Sequence, residues 1–226
     1  MSLLRHRAPA LLVAAIALVA VGCSGSSSGT KSKSAPAIAA DAKNAAAAAH
    51  SVHVSGTAAA QGQAVPVDLH VATNGSTGTV TFGGAQVQIV ATGGNLYVRG
   101  AQKVLGQFLG SGAEKKIDDH WVQLSTSMPQ LAQFAGLVSL PTLVNQYLTP
   151  TTTPTKQAVS TVGGQKVVAL SGYGADGKGL LSVAASGTAY PVQLQTSVGK
   201  VTFADWNAPV TVTVPTDVVP LASLTG

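Results

Sequence analysis

The residues able to do chemistry are few and scattered. Past the first thirty positions the histidines are His50, His53, His70 and His120. His50 and His53 stand three apart at a predicted helix-to-strand junction. On the next predicted strand Asp68 and His70 are two apart, so alternation turns His53, Asp68 and His70 the same way across a hairpin. Two imidazoles and a carboxylate are metal-ligand types. A polar strand face explains the same pattern with no ion, and no metal site is assigned. Asp118-Asp119-His120 lies near Lys115-Lys116, where a solvated loop accounts for the charges without a bound cation. The serines lack histidine and acid partners at recognisable spacing. No G-x-S-x-G elbow, H-E-x-x-H pair or P-loop occurs. The glycine pairs sit between predicted strands and read as hairpin turns, not phosphate cradles. The expectation is no catalytic residue, no cofactor and no enzyme.

Cys23 is the only cysteine of the 226 residues, which excludes an internal disulfide and a zinc site built on several cysteines. Its surroundings explain it. Arg5-His6-Arg7 is a basic start, and Ala8 to Val21 is an apolar run, shorter than the roughly twenty residues of a membrane span. Small residues follow. This is the layout of a secretory signal peptide. Ala20-Val21-Gly22-Cys23 resembles a bacterial lipobox, with Ala20 where leucine is more usual. The resemblance implies cleavage after residue 22 and a diacylglycerol on Cys23. The alternative is a plain signal with an incidental thiol. Each buried methylene contributes about 0.8 kcal/mol, so two acyl chains hold where one is marginal. Residues 23–36 are then expected to be the lipidated cysteine and a flexible Ser/Gly tether, with a reach of about 20 Å. Residues 37–226 are expected to form one domain, anchored on the extracytoplasmic face of the cell membrane.

Charge narrows the field further. The net charge is +5, but Arg5, Arg7, Lys31 and Lys33 lie in the leader and tether. Nine Lys and Arg then face eight Asp and Glu, leaving about +1. A phosphate-facing basic surface is missing, so no nucleic-acid partner is expected.

The elements that must position these residues follow from periodicity. Ala37 to Ala49 is alanine-rich and predicts a helix. Period-two alternation comes next: Val52 to Ala58, Val65 to Val71, Val80 with Phe82, Val87 with Ile89, and Leu96 with Val98. Tight turns between these runs predict an antiparallel meander of five strands. One face is aliphatic and the other Thr, Ser, Gln and His. Val104, Leu105, Phe108 and Leu109 show helical spacing. Trp121 to Leu124 is a short extended piece. Pro129 opens a second helical stretch with Leu131, Phe134, Leu137, Val138 and Leu140, and Pro141 suits a further first turn. After Thr149 to Thr155 a second meander is predicted: Lys156–Val162, Lys166–Ser171, Leu180–Ala185, Pro191–Ser197 and Lys200–Phe203. Val210 to Val214 is extended. The expectation is α+β, about ten antiparallel strands whose aliphatic face is covered by the central helices. With aromatics at 4%, that layer either closes as an ordinary core or leaves an aliphatic hollow.

Several segments resemble the LppX/LprG-type lipoproteins of actinobacteria and their LolA-like relatives. They are Ser51-Val52-His53-Val54-Ser55-Gly56, Asn95-Leu96-Tyr97-Val98, Trp121-Val122-Gln123-Leu124, and Lys200 to Asn207 running into Pro209 to Val212. The resemblance implies a curved antiparallel half-barrel sheet with helices over its concave side, and an acylated lipid or glycolipid between them. Val104, Leu105, Phe108, Leu109, Leu131, Phe134, Leu137 and Leu140 would line that hollow, though each also suits a plain core. Tyr97 and Tyr147 would stand at its mouth, and Trp121 and Trp206 would pack the sheet edges. The function expected is binding or transfer of acylated lipids. The alternative is a closed envelope lipoprotein that binds a protein partner.

Overall fold

The computed structural model describes residues 29–60, 63–100, 102, 106, 117, 119–125 and 136–220. Helix α1 spans Ala35–Ala47. It starts two residues earlier than expected because Pro36 fits the first turn, where its missing N–H is no loss. Ile38, Ala39, Ala42 and Ala46 are buried, a stripe at helical spacing. The helix ends where the Ala48 N–H bonds back to the Asn44 carbonyl.

The chain ahead of α1 corrects the tether expectation over its last residues. Thr30–Ser32 forms a 3-10 turn with Thr30 buried. The Lys156 ammonium donates to the carbonyls of Lys31 and Lys33 at 3.0 Å each, and Lys33 pairs with Asp41 at 2.6 Å. Residues 30–33 are therefore held against the folded body. Local composition does not reveal this, because the anchoring lysine lies 125 residues beyond Lys31.

Among the described residues, twelve strands form one sheet. They are β1 (Ser51–Ala60), β2 (Gln63–Ala72), β3 (Gly75–Phe82), β4 (Ala85–Thr92), β5 (Asn95–Arg99) and β6 (Trp121–Ser125). After helix α2 (Leu140–Tyr147) come β7 (Lys156–Val162), β8 (Gln165–Tyr173), β9 (Gly179–Ala184), β10 (Pro191–Gln195), β11 (Lys200–Ala204) and β12 (Val218–Pro220). The order is β12-β6-β5-β4-β3-β2-β1-β11-β10-β9-β8-β7. The two meanders join through the antiparallel pair β1–β11, with Val54 opposite Phe203. The sheet is open, since β12 and β7 lie at opposite edges.

One sequence expectation changes here. The sheet is mixed, not wholly antiparallel, because β12 runs parallel to β6. Val210 to Val214 belongs to no ladder. The chain instead continues past it, and the Asp217 carbonyl accepts the Trp121 N–H before β12 adds the last strand.

Register carries the aliphatic face across the sheet. Val122, Val98 and Ile89 stand opposite one another in turn. The row passes Gly78 to Leu69, Val54 and Phe203. In the second half Leu194, Leu181 and Leu170 continue it. These apolar residues belong to one buried cluster with the inner faces of α1 and α2. Burying each Val or Leu contributes about 1.5–3 kcal/mol, which pins the register, since a one-residue slip would turn the whole set to solvent. Gly78 sits inside this row with φ +149°, and a Cβ there would strike the Asp68 carbonyl oxygen. The neighbouring backbone thus comes closer than a side chain would permit.

Candidate functional site

The helical layer meets the sheet through α2. Pro141 occupies the first turn of this helix, and Leu140, Leu143 and Val144 are its buried residues. Leu148 and Ile117 are fully buried in the same cluster. Helix α1 packs against α2 and reaches β10. Ser76 on β3 ties the layers together, its hydroxyl donating to the Val138 carbonyl at 2.6 Å.

Beside that bond lies a cavity of about 450 Å³, between the β2–β3 and β4–β5 turns and the start of α2. Ala72, Ala91, Val138 and Leu140 supply apolar walls, while Asn74, Asn95, Ser139 and Thr142 supply polar ones. Gly93 and Gly94, both at positive φ, make the tight turn that borders it. The volume falls within the roughly 300–1,000 Å³ of small-molecule sites. An apolar floor under uncharged hydrogen-bonding groups suits a ligand with a greasy part and a neutral polar part.

The sequence-predicted lining residues divide sharply. Leu137 and Leu140 are 3% and 2% exposed and belong to the buried cluster, and Leu140 also lines the cavity. Val104, Leu105, Phe108, Leu109, Leu131 and Phe134 lie outside the described residues, as does Cys23. Tyr97 is not at a mouth on the apolar side. It stands between Val90 and Gln123, on the sheet face opposite Leu96 and Val98. Tyr147 is half-buried against the core, and burial raises the pKa of its phenol. Trp206 packs near the middle of the sheet rather than at an edge. Its indole N–H donates to the Pro191 carbonyl at 3.0 Å, and its ring stacks on Tyr190 at 4.9 Å. Trp121 lies on β6, beside the edge strand. The polar walls escape sequence reasoning because Asn74 and Asn95 read simply as turn residues, and only the closure of two turns onto α2 brings them together.

An open sheet with one aliphatic face under helices defines an α+β protein of the half-covered-sheet class. Its structure is similar to that of LprF from Mycobacterium bovis, with a TM-score of 0.52 and 18% sequence identity, covering 80% of this chain and 96% of that one. The chain thus shares the fold of LprF. A DUF1329 family protein from Desulfovibrio piger covers 80% of this chain and 95% of its own at 10% identity, with a TM-score of 0.26, too low to define a shared fold. No family model matches the sequence, and no curated protein matches it.

Proposed function

We propose that the protein is an extracytoplasmic lipoprotein, held to the cell membrane through Cys23, that binds or transfers acylated lipids without catalysing a reaction. The acyl chains enter the pocket where the β2–β3 and β4–β5 turns meet the start of α2. The observation that carries this reading is the cavity of about 450 Å³, where apolar walls meet Asn74, Asn95, Ser139 and Thr142. The acyl part lies on Ala91 and Leu140, and the polar part meets the amides and hydroxyls. Each methylene kept from water contributes about 0.8 kcal/mol, so chain length sets affinity. The fold shared with LprF supports the same reading.

Native mass spectrometry of the full chain, purified from membranes, tests it. Co-purifying lipid supports the carrier, and Thr142→Trp at the rim should reduce the bound fraction while the far-ultraviolet spectrum is unchanged. A full chain that carries no lipid and takes up no fluorescent fatty acid is not a carrier. Cys23→Ser should release the protein from membranes or leave the leader uncut. Continued processing and detergent-dependent extraction would remove the anchor assignment.

One observation favours a partner-binding reading. The edge strand β7 is exposed along nearly its whole length, with Val159 46% exposed. An open edge with an exposed valine can add a strand from another chain. Loss of a co-purifying envelope protein on Val159→Lys, with lipid binding intact, would support it.

A further inference from the structure

On the polar face of the sheet, two adjacent strands and the chain just past a third bring four ligand-type side chains together. His53 on β1 lies opposite His70 on β2, and their rings stack at 4.4 Å with 13° between planes. Asp68, two residues before His70, places Oδ1 2.9 Å from His53 Nε2. From the other side Asp205, just past β11, places Oδ2 3.7 Å from His53 Nδ1. Asp205 adopts φ 50°, an unusual conformation for a residue other than glycine. One donor atom from each of His53, Asp68 and His70 lies within 4.8 Å of the others.

We propose that His53, Asp68 and His70 form a binding site for a divalent first-row transition ion of the zinc class. Two imidazole nitrogens and one carboxylate oxygen are the donor set of such ions, whereas magnesium and calcium take oxygen ligands. Ligands at about 2.0–2.2 Å around a tetrahedral ion stand roughly 3.4 Å apart, so the donors need to close by no more than about 1.5 Å through side-chain rotation. Asp68 and His70 are exposed and can make that rotation, while His53 is half-buried with Asp68 at its Nε2 and Asp205 near its Nδ1. The ion replaces the His53–Asp68 hydrogen bond and leaves a position for water. Asp205 flanks the site and adds negative charge. Bound there, the ion ties β1 to β2 beside the β1–β11 seam where the two meanders meet.

The test uses the full chain in detergent, free of any polyhistidine tag and stripped with a chelator. Titration with Zn²⁺ by calorimetry, and with Co²⁺ by visible absorption, should show one equivalent. His70→Gln and Asp68→Asn should each weaken binding about tenfold or more, whereas His50→Gln and His120→Gln should not. Zinc should also raise the Tm of the wild type and not of His70→Gln. His70 is exposed, so its variant remains informative if a His53 variant fails to fold. Absence of one-equivalent binding, or binding that survives both His70→Gln and Asp68→Asn, overturns the proposal.

Discussion

Ser76 and Val138 lie 62 residues apart in the chain, yet the serine hydroxyl donates to the Val138 carbonyl across 2.6 Å. Ser76 has no exposed surface. The bond holds the segment leading into α2 against β3 and satisfies a carbonyl that would otherwise face an aliphatic sheet.

Ser76→Ala should leave that carbonyl without its partner and cost about 1–3 kcal/mol. Urea denaturation checks this. An unchanged midpoint would mean that the carbonyl finds water at the cavity.

Gly78→Ala should destabilise more severely. Its Cβ would collide with backbone at Asp68 rather than with a movable side chain, and φ +149° is unfavourable for alanine. The expected result is poor folding or a much lower Tm. Gly83→Ala, where a Cβ meets nothing within 4 Å, should be milder.

Tyr173 is fully buried, and its hydroxyl has no partner among the described residues. Burial pushes its pKa up to about 12 from an ordinary 10. Below pH 10 the phenol is neutral in both folded and unfolded states. As pH rises from 10 towards about 12 the unfolded chain ionises first, so stability falls. Tyr173→Phe should remove this part of the alkaline loss and be neutral or stabilising near neutrality. Denaturation curves recorded near neutrality and in the alkaline window compare the two proteins.

Lys156 holds the segment ahead of α1 through two carbonyls. Lys156→Met should free it. Limited trypsin digestion should then cut faster after Lys31 and Lys33, with little change in global stability. Equal cutting rates would show that the burial of Thr30 suffices.

Much of the architecture is legible in the residues because alternation and turn chemistry are local. The expected strand Lys156–Val162 coincides with β7, and the other strand pieces fall within or overlap the observed ones. Alternation also separates Val52 and Val54 from His53, which places the aliphatic and polar faces. Charge balance is read directly from composition, since nine Lys and Arg face eight Asp and Glu past the leader and tether. Long-range pairings are not legible. The β1–β11 seam, the parallel β12, the Lys156 clasp on the chain ahead of α1, and the closure of two turns onto Leu140 join residues far apart in sequence. The approach of Asp205 to His53 needs that same seam. Periodicity states which way a side chain points, but only the packed chain decides what it meets, because non-local contacts depend on the arrangement of every element between them.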